Sequence, residues 1–206
     1  MILSNKHLNN IPPLFYNYDI IKYTSHHKVL GVTIDNALSF KYHINEVSRT
    51  VSMFYSLKDL MPASTLKAVY YAHVQPHINY CIALWGSTYS THLKPLFIIQ
   101  KKILRLITNS PYLEHSRPLF KSMGILNIYE LSNLEISSYM FKHKNSDYFL
   151  NILHNYNTRN RNNLNIPQHS LTIFKHSLEY NGPKVWNNIN QNIKDLPSIR
   201  SFRKKY

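Results

Sequence analysis

The chain has 206 residues, 44% hydrophobic and 13% aromatic, which is enough apolar material for one core or two small ones and too much for a disordered polyelectrolyte. Its 24 Lys and Arg against 10 Asp and Glu give a formal charge of +14, which points to a polyanionic partner. The single cysteine, Cys81, excludes an internal disulfide framework. No run reaches the roughly 18 consecutive apolar residues of a membrane span and no secretory leader pattern opens the chain. The reading is therefore intracellular, without membrane contact, and open between nucleus and cytoplasm.

In chain order, residues 14–16, 20–23 and 29–34 read as three short strands, the last closing at the turn-forming pair Asp35-Asn36. They form a β element over residues 1–40 with an unpaired edge and a poorly covered face. From Tyr42 the period changes. Ile44, Val47, Val51, Phe54, Leu57, Leu60 and Met61 recur at three and four residues, as a helix with one buried face requires, until Pro62 stops it. A second helix runs from Ser64 to Val74, is broken or kinked by Pro76, and resumes through Ile78, Cys81, Ile82 and Trp85 to end at Gly86. Cys81 reads there as a small buried side chain. A third helix starts near Thr91 as N-cap and puts Leu96, Ile99, Ile103, Leu106 and Ile107 on one side and Lys94, Lys101, Lys102 and Arg105 on the other. Residues 116–123 give a short helix stopped by Gly124, and Asn127 with Glu130 forms a capping-box pattern opening a helix to about His143. The helical region is thus bounded at 41–153. A polar linker at 154–170 follows, then a small C-terminal block at 171–206 in which 171–180 is extended, Asn181-Gly182 turns, Trp186 anchors a helix and Ser198 caps a basic one. The fold class is mainly α with a small N-terminal β element.

Five segments carry a family resemblance. Residues 28–44, KVLGVTIDNALSFKYHI, resemble the "K-Y-L-G-V-x-I-D … L-x-W-x-x-H-I" signature of jockey-like non-LTR retrotransposon reverse transcriptases, with Val29 for Tyr and Phe40 for Trp. Residues 70–86 are similar to that family's "Y-x-x-x-x-x-P-x-x-x-Y-x-x-x-x-W-G" through Tyr70, Pro76, Tyr80, Trp85 and Gly86. Residues 96–107 match a helix pattern through Gln100, Arg105 and Ile107, and residues 115–124 and 180–202 resemble the closing blocks. The resemblance implies the part of a polymerase that follows the palm: a helical, thumb-like bundle that holds the template and nascent duplex by its backbone. The stretch MILSNKHLNN and the following PLFYNYDIIKY are similar to the strands just after the palm.

The family's catalysis uses two adjacent aspartates that hold metal ions for phosphoryl transfer. Here Asp19, Asp35, Asp59, Asp147 and Asp195 are scattered. The expectation is a fragment with no catalytic residue and no cofactor of its own, the family's metal ions belonging to the absent palm. Expected partners are an RNA or RNA/DNA hybrid backbone and, if expressed elsewhere, the missing palm and fingers. Lys94, Lys101, Lys102 and Arg105 are the leading phosphate contacts, because no acidic residue on their helix pairs with them. Lys41, Arg49, Arg159 and Arg161 are weaker candidates. A solvated charged face and a polar linker account for the same residues, and A/T-rich codons raise Lys and Asn without any ligand.

Other chemistries have little support. His73 and His77 have i,i+4 spacing, but Pro76 intervenes and no third ligand is fixed, so no metal site is assigned. Gly31, Gly86, Gly124 and Gly182 build neither a nucleophile elbow nor a phosphate-cradling loop. Tyr80 and Trp85 have the chemistry to stack on bases, yet their apolar setting favours the core. Two other readings remain: a degenerate element remnant with no selected activity, and a domesticated interaction or scaffold protein.

Overall fold

The computed structural model describes residues 12–57, 59–146 and 163–206. The stretch MILSNKHLNN and residues 154–162 of the expected linker lie outside them. The fold is mainly helical behind two small antiparallel strand pairs, as expected. β1 (Leu14–Tyr16) pairs with β2 (Asp19–Ile21), and β3 (His26–Val29) with β4 (Val32–Asp35). The third expected strand is therefore two. Leu30-Gly31 is its hairpin turn, with both residues at positive φ, which suits a two-residue connection between right-twisted strands. A non-glycine residue there is strained by about 1–3 kcal/mol. Tyr80 offsets this at Leu30, donating its Oη to the Leu30 carbonyl while its ring covers Gly31.

Asp35 then organises the turn into the helices. It is buried, and its Oδ1 accepts from the backbone N–H of Ala37 and Ser39 while Oδ2 accepts from the Ser39 hydroxyl. This delivers Phe40, in the left-handed region, as the N-cap of α1 (Lys41–Ser52). The helix does not run on to Met61. It tightens into a 3₁₀ turn at Met53–Leu57, which still buries Phe54.

α2 (Ala63–Val69) is followed by a π turn at Tyr70–Val74 and α3 (Gln75–Asn79). The wider turn lets the chain pass Pro76, whose ring opposes a regular i→i−4 ladder, without ending the helix. Cys81 is the break instead. It is exposed and left-handed, φ 54°, correcting its expected burial, and it caps α4 (Ile82–Trp85). α5 (Ser90–Thr108) begins after Tyr89, with no side-chain cap at Thr91.

α6 (Ser116–Met123) ends at left-handed Gly124, and α7 (Ile128–His143) opens with the full Asn127–Glu130 capping box. In the C-terminal block, residues expected to be extended form a 3₁₀ turn at Thr172–His176 and then α8 (Leu178–Asn187). Asn181-Gly182 lies inside α8. A Cβ at Gly182 would stand 2.7 Å from Met140 Sδ, so the glycine serves a close helix contact rather than a turn. α9 (Gln191–Lys194) and α10 (Ile199–Lys205) complete the chain, the latter capped by Ser198 as expected.

Two apolar clusters hold these elements. The larger joins Val32, Ile44, Phe54, Tyr70, Trp85 and Ile103 with Ile128 and Leu131 of α7. The smaller joins Met140 and Phe141 of the same helix with Leu164, Trp186, Ile189 and Phe202. Leu164 is a buried apolar residue of the polar stretch, fixed by Asn187, whose side chain accepts from its N–H and donates to its carbonyl.

Candidate nucleic-acid interface

The segments that carry the family resemblance meet one another in the fold, and most of their signature side chains are structural. Trp85 is wholly buried, donates its indole N–H to the Tyr80 carbonyl at 2.8 Å, and meets His43 edge-on. Thr88 ties the start of α5 to the Ser39 carbonyl at 2.7 Å. Gln100, also wholly buried, donates to Tyr70 Oη at 2.9 Å and the Leu126 carbonyl at 3.0 Å, and accepts from the Ile128 N–H at 3.1 Å. Burial, opposed by the Gln100 hydrogen bond, pushes the Tyr70 phenol up to about 12. Trp85 is in the core as expected, whereas Tyr80 is 49% exposed, which corrects its expected burial, and its hydroxyl is engaged at Leu30.

A concave surface of about 310 Å³ lies between the β3–β4 hairpin, α1 and α3, with His43, Glu46, His77 and Tyr80 on its walls. His43 is buried, and its Nε2 has no hydrogen-bond partner. Burial lowers its pKa, with Glu46 opposing and Lys28 adding to the shift. Burial disfavours the Glu46 carboxylate, but the Thr33 hydroxyl at 2.9 Å and Lys28 at 3.4 Å together hold its pKa below the ordinary value. His73 and His77 have ring centroids 4.8 Å apart at a tilt of 58°, and His77 Nδ1 is spent on the His73 carbonyl. Among the described residues no group of three or more His, Cys, Asp or Glu side chains is arranged to hold a metal ion.

The expected phosphate contacts divide by environment. Lys94 and Lys102 are exposed on α5. Lys101 is half-buried, its ammonium 4.1 Å from the centroid of the Phe97 ring. Arg105 donates Nε and Nη2 to the Glu114 carbonyl at 3.1 and 2.7 Å, which closes the loop between α5 and α6; the other three of its five N–H donors are not used by these bonds. Lys41 and Arg49 are exposed on α1, a different helix whose apolar face packs on α5. Arg159 and Arg161 lie outside the described residues.

Sequence reasoning missed two cations. Arg117 and Lys121, exposed on α6, join Lys101 around a groove of about 970 Å³ between α5, α6 and the start of α7. The signal was their i,i+4 spacing on a helix without an acidic residue, which puts both on one face about 5–6 Å apart. Among the described residues only two ion pairs form, Lys28–Glu46 and Arg203–Glu135, so none of these α5 and α6 cations is neutralised by a carboxylate.

Over 119 residues the chain is 24% identical to the RNA-directed DNA polymerase from mobile element jockey of Drosophila funebris, a match covering 54% of this chain and 13% of that protein. It is 24% identical over 144 residues to the probable RNA-directed DNA polymerase from transposon X-element of Drosophila melanogaster, covering 65% and 16%. The chain is similar in sequence to the jockey-type mobile-element polymerases. A third such polymerase, the probable one from transposon BS of Drosophila melanogaster, is 25% identical over 127 residues, or 58% of this chain. The matched stretch spans only 13% to 16% of these jockey-type relatives. No family model and no solved structure matches the chain. No helix among the described residues is long and apolar enough to cross a membrane.

Proposed function

We propose that the chain is a non-catalytic, thumb-like part of a reverse transcriptase that grips the sugar-phosphate backbone of an RNA/DNA hybrid without reading its sequence. The observation that carries this reading is the exposed basic ridge of α5. Lys94 and Lys102 stand there without a carboxylate partner, on a helix that has no acidic residue, in a chain of formal charge +14. The similarity to RNA-directed DNA polymerases supplies the chemical class of the ligand. The absence of any Asp-Asp pair supports a binding role rather than phosphoryl transfer by this stretch itself.

The test is fluorescence anisotropy with a blunt RNA/DNA hybrid across a salt series. Lys94→Ala with Lys102→Ala is expected to weaken binding and flatten the log–log salt slope by about 1 per lysine removed. Lys204→Ala with Lys205→Ala, on exposed residues of α10, removes the same charge elsewhere. Equal losses from the two pairs would reduce the ridge to diffuse charge and overturn the proposal.

A second reading draws on the N-terminal hairpin, where Phe15, Tyr16, Tyr18, Ile20 and Ile21 are all exposed. Phe15 and Ile20 share one face of the hairpin and Tyr16 and Ile21 lie on the other, and such exposed apolar side chains suit a protein contact, either with the rest of a polymerase or with an unrelated partner in a scaffold role.

A further inference from the structure

The groove between α5 and α6 has a different shape from the α5 ridge and calls for a different ligand. Its walls carry Lys101 on one side and Arg117 and Lys121 on the other, while Phe97, Pro118 and Leu126 give it an apolar lining. Leu126 is 38% exposed, a large apolar side chain left open to solvent beside three cations. The one carboxylate on the rim, Glu130, is turned to the backbone, accepting from the Asn127 N–H at 2.9 Å. Cationic edges over an apolar lining are what an unpaired nucleotide strand needs, since its bases seek cover from water while its phosphates seek charge. A duplex keeps its bases stacked on one another, so only an unpaired strand can offer base faces to this apolar lining. The i,i+4 separation of Arg117 and Lys121 also lets them meet successive phosphates of one strand.

We propose that this groove is a binding site for single-stranded RNA or DNA, separate from the duplex-gripping ridge of α5. The site rests on the backbone-binding reading above for its class of ligand, but not on the same residues. A strand leaving or approaching a hybrid held on the ridge would enter it through the shared helix α5.

The experiment compares a labelled single-stranded oligouridine of about 12 nucleotides with a blunt hybrid of equal length. Arg117→Ala with Lys121→Ala is expected to weaken the single strand about tenfold and the hybrid less than about twofold. Leu126→Glu, which adds a carboxylate to the exposed wall, should reproduce the single-strand loss without removing a cation. Lys94→Ala with Lys102→Ala should show the opposite preference. Equal weakening of both ligands by the α6 pair, or of neither, overturns the groove. Displacement of the oligouridine by polyglutamate as readily as by unlabelled oligouridine also overturns it, in favour of an acidic protein segment. If the α6 pair is selective for the single strand but the ridge pair has no effect on the hybrid, the groove stands and the function proposed for the ridge falls.

Discussion

His43 occupies a position where burial and charge disagree. Its ring is enclosed between the Thr33 backbone and the edge of Trp85, with Glu46 and Lys28 as its charged neighbours. The folded chain resists its protonation, so its pKa lies below the ordinary 6.5. On acidification the unfolded state takes up that proton first. The stability associated with His43 is therefore intact above pH 6.5 and is lost as pH falls toward the depressed folded value. Urea denaturation should give a lower midpoint at pH 5.5 than at 7.5, and His43→Asn should remove most of that difference. A variant that loses as much as the parent would assign the effect elsewhere. At this scale the sequence revealed the histidine's place in a motif but not its environment. Gln100 is similar: its helical position beside apolar residues is plain, whereas its bonds to Tyr70, Leu126 and Ile128 depend on three segments far apart in the chain.

Helices were the most legible elements where their own residues specify the ends. Asn127 and Glu130 form α7's capping box within four residues, and Gly124 ends α6 in the left-handed conformation, so local chemistry sufficed. Asn181-Gly182 misled for a tertiary reason, because the glycine answers to Met140 on another helix. The β3–β4 hairpin was obscured in the same way: Leu30 is a poor residue for positive φ, and Tyr80, fifty residues later, is what secures it. Gly86 shows how closely such elements are fitted. A Cβ there would lie 2.5 Å from Ser132 Oγ and 2.6 Å from the Ile82 carbonyl, forcing α4 and α7 apart. Gly86→Ala is expected to destabilise by about 1–3 kcal/mol, as overpacking does. Gly124→Ala meets no atom within 4 Å and is strained only by its φ of +65°. A calorimetric series that ranks Gly86→Ala as the milder of the two would contradict this packing account.

For the whole molecule, two surfaces oppose each other in character: a basic one on α5 and α6, and an apolar one on the first hairpin. The +14 charge disperses the chain, while the hairpin favours association. Phe15 and Ile20 are cross-strand partners, both 63% exposed, so replacing both with Ser removes apolar surface without opening a core. That pair should reduce self-association in sedimentation, most visibly at high salt where repulsion is screened, and change stability by no more than about 0.5 kcal/mol. A large stability loss would mean that the hairpin is buried against something in solution. The charge was legible from composition alone. Its division into a convex ridge and a concave groove was not, because Lys101 and the pair Arg117 and Lys121 belong to separate helices.

α7 belongs to both apolar clusters, its first turns buried among α4 and α5 and its last among α8 and α10. What joins the C-terminal block to the rest is therefore burial of Trp186 and Phe202 against Met140 and Phe141, reinforced by the Arg203–Glu135 ion pair. The molecule is thus built like a split reporter. Glu135, Met140 and Phe141 on α7 and Trp186, Phe202 and Arg203 in the C-terminal block are the complementary halves of one interface.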